Sequence, residues 1–215
     1  MITKKVSLVF LPMLSMGIVI LASNELVQHP VRGTLFGIDL SLLLTWGAFT
    51  YPVAFLVTDT TNRIFGVGSA RRVVTVGFAL GVGLTIVAAL VIASGVSRTT
   101  EVSMWQALFN DPDALVMLRT AVASGSAFLV AHLLDIKVFD LLREKAWWKA
   151  PTASSLLGSV IDTAIFFSLA FAGTGMPWVT WAVGDFCVKL LMIALLLYPF
   201  RVIVRFYPQP LRSVS

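Results

Sequence analysis

Apolar runs of membrane-crossing length recur along this chain of 215 residues, and the stretches between them are too short to fold alone. A hydrocarbon core of roughly 30 Å requires about 20 apolar residues per helix. Six segments meet that demand: residues 6–23, 40–57, 73–94, 115–139, 154–172 and 179–200. They run without the alternation of a membrane barrel, so helices are expected. The expected fold is an all-α integral membrane protein, a compact bundle of six transmembrane helices forming one domain over residues 1–215.

Composition narrows the function classes. Hydrophobic residues make up 58% of the chain and charged residues 13%, against about 25% charged in soluble domains. A soluble enzyme and an ordinary nucleic-acid binder are excluded. The one cysteine, Cys187, leaves no intramolecular disulfide and no cysteine-based metal cluster, and no cofactor is expected.

The net charge of +5 reads as orientation. With a cytoplasmic N-terminus, the inner side carries Lys4, Lys5, Arg63, Arg71, Arg72, Arg143, Lys145, Lys149, Arg201, Arg205 and Arg212. The outer loops carry Arg32 and Arg98, and the loop after span three adds Glu101, Asp111 and Asp113. Arg119, Lys137 and Lys189 fall within spans. Lysine and arginine concentrate on cytoplasmic loops, so both termini are expected in the cytoplasm. Residues 1–23 share a basic start and an apolar run with secretory leaders. No A-x-A site follows, however, and their loss would leave an odd span count, so they are expected to stay as span one.

Several features have structural readings. Gly77 and Gly81 form G-x-x-x-G in span three, and Ala121, Gly125, Ala127 and Ala131 line span four with small residues that let helices approach closely. Trp147, Trp148 and Lys149 suit an interfacial anchor. Ser124, Ser126 and His132 invite a hydrolase reading, but Ser-Gly-Ser lacks the G-x-S-x-G frame and His132 lies on the same helix. An enzyme is not expected, and with no H-E-x-x-H neither is a metal site.

The informative residues are ionisable groups inside the spans, each costing about 2.5–3.5 kcal/mol at a helix centre. Asp162 stands near the midplane of span five, and Lys189 at similar depth in span six with Asp185 one turn earlier. Arg119 enters span four from outside, Asp135 lies nearer its inner end, and Asp59 follows span two just before Asn62. The acids Asp59, Asp135, Asp162 and Asp185 outnumber Arg119 and Lys189, so simple pairing leaves carboxyl groups over. A polar pocket inside a small bundle without catalytic apparatus means transport. Tyr51-Pro52 frees backbone carbonyls in span two, and Trp46, Phe49, Tyr51 and Phe55 offer aromatic faces around the break.

The strings TWGAFTYPVAFLVTDTTNRIFGVGSARR (45–72), RTAVAS (119–124), LLDIKVFDLLREKAWWKAPTAS (133–154), GSVIDTAIFF (158–167) and VGDFCVKLL (183–191), with SNELVQ at 23–28, resemble the queuosine precursor transporter family, also called the vitamin uptake transporter family. The resemblance covers nearly the whole chain in order. Arg63 stands where many relatives carry an acid, which leaves the role of that turn open. The resemblance implies a six-helix inner-membrane importer of 7-cyano-7-deazaguanine and 7-aminomethyl-7-deazaguanine, which feed queuosine modification of tRNA. It also implies a bacterial cytoplasmic membrane.

That substrate class suits the buried charges. A deazaguanine is flat, with two parallel N–H donors beside a carbonyl; a carboxylate accepts both donors bidentately, and a lysine serves the carbonyl. Asp162 is expected on the donor edge, Lys189 on the carbonyl, and Trp46 or Phe49 as stacking walls. Asp59 or Asp135 then faces the 7-substituent or takes up a proton, while Asn62, Arg119, Ser159 and Asp185 complete the expected substrate-binding set. The expected partners are this small molecule and the bilayer, without direct nucleic-acid contact; self-association stays open. Secondary and facilitated transport also stay open, with the substrate-binding subunit of an energy-coupling-factor vitamin importer as the alternative. Such subunits often carry an Ala-x-x-x-Ala seam in helix one, whereas here Ser15, Gly17 and Ala22 fall at other spacings.

Overall fold

A computed structural model describes residues 2–35, 37–100 and 112–207, together with 103, 106 and 109. Glu101, Asp111 and Arg212 lie outside the described residues, as do the side chains of Lys4, Lys5, Arg98 and Asp113. Helix α1 (Ile2–Leu26) is followed by a small antiparallel hairpin of β1 (Thr34–Leu35) and β2 (Ile38–Asp39), in which Thr34 pairs with Asp39 and Leu35 with Ile38. A 3-10 turn at Leu40–Leu42 starts where Asp39 Oδ1 accepts the Ser41 N–H at 2.9 Å, a bond that holds this exposed carboxyl below its usual pKa. The remaining helices are α2 (Gly47–Thr50), α3 (Pro52–Phe65), α4 (Val67–Thr100), α5 (Pro112–Leu142), α6 (Lys149–Phe171) and α7 (Trp178–Phe206).

Five helices contain segments long and apolar enough to cross a membrane: Val9–Leu26, Val67–Leu84, Leu118–Leu142, Lys149–Phe171 and Trp178–Phe206. The α2–α3 pair makes the sixth rod, and it departs from the expected span over 40–57. Its helical path begins at Gly47, is notched at Pro52, and continues through the polar Thr58–Asn62 stretch to Phe65. Two physical causes shift it. Proline at the first position of α3 costs only an amide that would be unpaired there. The threonines return their hydroxyls to the helix, Thr58 to Ala54 O at 3.0 Å and Thr61 to Val57 O at 2.6 Å. Polar residues therefore ride inside the protein on a helix that an apolar count ends too early. Gly66, at φ 83°, then reverses the chain directly into α4.

Helices α1, α4, α5, α6 and α7 neighbour one another in that order, and α3 packs inside the arc against α1, α4, α5 and α7. Small residues set the spacing. A Cβ on Gly77 would collide with Met16, and one on Gly81 with Ile20, so the G-x-x-x-G of α4 receives α1. A Cβ on Gly158 would meet the Phe55 ring at 2.6 Å, bringing α6 onto α3. Val9, Met16, Ile20, Ala54, Val73, Phe128 and Ile136 form the main apolar core. One end of the bundle gathers Arg63, Arg143, Lys149 and Arg201, with the Arg201 guanidinium 4.7 Å over the Trp147 ring.

Candidate functional site

Because α3 sits inside the arc, its polar residues face those of α5, α6 and α7 rather than lipid. The densest cluster centres on Lys189 of α7. Its Nζ stands 2.8 Å from Asp162 Oδ2, 2.6 Å from Asp185 Oδ2 and 2.9 Å from Thr163 Oγ1. Thr163 donates its own hydroxyl to Asp185 Oδ2 at 2.9 Å. Lys189 is 2% exposed, so its three ammonium hydrogens are matched by three oxygens in a dry setting. The spacing explains the register: Asp185 and Lys189 are one turn apart on α7, while Asp162 and Thr163 are presented together across the α6–α7 seam.

Beside this cluster lies a cavity of about 30 Å³, walled by α1 (Ser23, Asn24), α2 (Gly47), Tyr51, α5 (Ser124), α6 (Asp162, Phe166) and α7 (Asp185, Lys189). The Tyr51 ring carries Lys189 Nζ 5.4 Å from its centroid. Ser124 donates to Asn24 Oδ1 at 2.7 Å, and Ser23 to Thr50 Oγ1 at 2.9 Å. Two polar atoms in this wall, Asp162 Oδ1 and the Oη of Tyr51 that neighbours its carboxyl, are buried with no well-formed hydrogen bond. A buried acceptor left open costs about 1–3 kcal/mol, a cost that a ligand's donors remove.

One to two turns further toward the basic end lies a second cluster. Asp59 of α3 accepts from Ser154 Oγ at 3.3 Å and from Ser155 Oγ at 3.1 Å. Asp135 of α5 faces Asp59, and neither of its oxygens has a protein hydrogen-bond donor. Among the described residues neither acid has a salt-bridge partner. Between the clusters stand Ser159, whose hydroxyl is buried and unpartnered, and His132. The His132 ring stacks on Phe55 at 4.3 Å and meets Phe128 at 4.2 Å. Its Nδ1 lies 2.9 Å from Thr58 Oγ1, leaving Nε2 without a partner.

The expected site residues divide between these places. Asp162, Asp185 and Lys189 are brought together at the cavity; Asp59 and Asp135 form the separate pair, with Ser159 between. Asn62 belongs to neither cluster. It donates to Ile136 O at 3.2 Å and accepts from Arg143 at 2.6 Å, closing the basic end. Arg119 must be set apart: its guanidinium caps α6, donating to Leu169 O at 2.7 Å and Ala172 O at 2.6 Å, because the last carbonyls of a helix need donors. Trp46 and Phe49 pack on each other at 5.9 Å, with Trp46 49% exposed, and neither lines the cavity. Tyr51 lines the cavity instead, and Tyr51 and Phe166 supply the aromatic walls. Ser23, Asn24, Thr163 and Phe166 join the site beyond the expected set; Thr163 and Phe166 lie within about one turn of Asp162 in sequence, whereas Ser23 and Asn24 stand near no buried charge in the chain. Arg63 donates to Arg143 O at 2.9 Å, a tie that an acid at this position would be unable to make.

The family model described as "Putative vitamin uptake transporter" matches residues 45–204. The "Queuosine precursor transporter" of Escherichia coli (strain K12) is 39% identical over 193 residues, covering 85% of this chain and 79% of the relative. The "Probable queuosine precursor transporter" of Haemophilus influenzae (strain ATCC 51907 / DSM 11121 / KW20 / Rd) is 36% identical over 194 residues, 84% of this chain and 79% of the relative. A Bacillus subtilis (strain 168) protein of the same description is 28% identical over 142 residues, 61% of this chain and 58% of the relative. No solved structure matches the chain. A family match across most of the sequence, with several helices long and apolar enough to cross a bilayer, makes this chain a multi-pass membrane protein of the vitamin uptake transporter family.

Proposed function

We propose that the chain imports queuosine precursors, 7-cyano-7-deazaguanine, 7-aminomethyl-7-deazaguanine or both, across a bacterial cytoplasmic membrane with its basic end inside. The names of the two relatives above 30% identity support the substrate class. The observation that carries the reading is Asp162 Oδ1, a buried carboxylate oxygen with no well-formed hydrogen bond, on the wall of an internal cavity.

The pyrimidine edge of a 7-deazaguanine presents two N–H donors, and Asp162 accepts both once its Oδ2 contact to Lys189 is shared. Lys189, still held by Asp185, then turns a proton to the base carbonyl. Tyr51 and Phe166 cover the ring faces, and the Asn24–Ser124 pair offers further polar contact. A cavity of about 30 Å³ has room for water but not for a bicyclic base. On this reading the structure is a closed form, and loading requires α1 and α2 to part from α6 and α7. Catalysis plays no part in this reading. Ser124 is bonded to Asn24 rather than to a base, and His132 meets Thr58.

The test is uptake of labelled precursor into liposomes containing only this polypeptide, with guanine as competitor. Wild type accumulates label, and Asp162→Asn lowers initial uptake about a hundredfold, the loss of roughly 3 kcal/mol of charge-assisted bonding. Undiminished uptake by a well-folded Asp162→Asn protein overturns the assignment. Absence of uptake from wild-type liposomes, with no ATPase partner present, favours an energy-coupled subunit instead.

A further inference from the structure

The Asp59–Asp135 pair has no role in holding a flat base in the cavity, yet it is buried as completely as the residues that do. Asp59 is 3% exposed and Asp135 0%. Two facing carboxylates in a low-dielectric interior cannot both remain ionised. What satisfies them is one positive charge between the oxygens. Among the described residues the protein supplies none.

The surroundings favour a proton over a metal cation. On α6 the pair meets Ser154 and Ser155, and both hydroxyls are spent as donors to Asp59. On α3 it meets Thr58, whose hydroxyl goes to Ala54 O and His132. Asn62, one turn below, is held by Arg143. On α5 His132 lies one turn above; Arg143, two turns below, is directed to Asn62 and Asp140. On α7 the facing residues are Ile193, Leu196, Leu197 and Phe200, which bring no charge or polar group. The two serine hydroxyls already donate to Asp59, and the two carboxyl groups alone suffice to hold a proton. A proton needs only the two oxygens that already face each other.

Polar groups and space for water flank the pair on both sides. Toward the cavity, Ser159 Oγ and His132 Nε2 are both buried and unpartnered, each one turn from a member of the two clusters. Away from it, Asp59 and Ser155 border a second cavity of about 20 Å³ between α3, α6 and α7, enough for one water. Orphan polar atoms at two successive levels have no role in a static ion pair, and they are what a proton path requires.

We propose that Asp59 and Asp135 form a proton-binding site that couples import to inward proton flow, one proton per substrate. The inference rests on the transport reading above. A proton from the outer side binds the Asp135 carboxylate and is shared with Asp59, neutralising the pair. With the base in the cavity the bundle reopens inward, and proton and base leave together, so charge and atoms balance across the cycle. Asp135 is a positioning and coupling group, not a contact to substrate.

Two measurements on the full chain test this. In proteoliposomes loaded with unlabelled 7-cyano-7-deazaguanine, exchange with labelled precursor reports the carrier without any gradient. Net uptake with the outside made acid reports coupling. Wild type is expected to take up label several-fold faster when the outside is acid than at equal pH, and a protonophore abolishes the difference. In Asp135→Asn, whose amide matches the carboxyl in shape, the gradient no longer raises uptake. A wild type that exchanges label yet ignores the gradient, or responds to sodium at constant pH instead, overturns the coupling while leaving the transport reading intact. Infrared difference spectra of purified wild type against Asp135→Asn and Asp59→Asn read the proton directly. A protonated-carboxyl stretch lost in both variants supports the site even if no precursor is exchanged. Its absence from wild type removes the site.

Discussion

Inside this bundle two pairs of aspartates meet at closely similar burial, and they differ in their cations: a lysine stands between Asp162 and Asp185, and among the described residues no basic side chain pairs with Asp59 or Asp135. The first cluster is closed, with Lys189 Nζ directed at three oxygens and Asp162 Oδ1 left facing the cavity for a ligand. The second is open by one positive charge. Burial alone therefore says little about what an intramembrane acid does. The cations within about 4 Å decide whether it is a fixed recognition group or a site that must load.

Breaking the lysine gives the largest expected effect. Lys189→Met converts the closed cluster into a copy of the open one, leaving two buried acids uncompensated. A loss of about 3–5 kcal/mol is expected, seen as a steep fall in thermal unfolding temperature of the detergent-solubilised protein and as lost uptake. Adding Asp185→Asn to that variant restores part of the stability, since one acid fewer is then unpaired. Thr163→Val is smaller. It removes a hydroxyl that donates to Asp185 and accepts from Lys189, for about 1–3 kcal/mol, and lowers precursor affinity without altering the response to a pH gradient. Uptake assays at several precursor concentrations, with and without the gradient, separate those effects. Smallest is Arg119→Gln. Because Arg119 caps carbonyls at the end of α6, uptake is expected to stay within about twofold of wild type. A tenfold loss would return this cation to the substrate site.

Much of the architecture was legible. Apolar length alone marked five of the helices, because a bilayer imposes one dimension on every crossing. The exception is α2–α3, where apolar counting placed a span at 40–57 and the helix runs on through Thr58–Asn62. An apolar count prices polarity as lipid exposure, and Thr58, Asp59, Thr61 and Asn62 are buried inside the protein. The cavity acids and Lys189 were equally legible, since a charge in the middle of a span is costly wherever the bundle places it. Their grouping was less so. Arg119 resembles Lys189 in sequence, both cations within spans, yet it bonds a helix end some distance from the cluster. Trp46, Phe49 and Tyr51 are likewise equivalent as aromatic residues around a proline, and only the packing of α2 and α3 against the other helices selects Tyr51.

What the sequence determined by itself is the solvent and the inventory: a helical membrane bundle with more buried acids than bases, fixed by apolar length and the cost of charge in hydrocarbon. The tertiary structure decided the partnerships. By packing α3 inside the arc, it put Lys189 against two aspartates and left two others facing each other, because side chains remote in sequence interact only over a few ångströms.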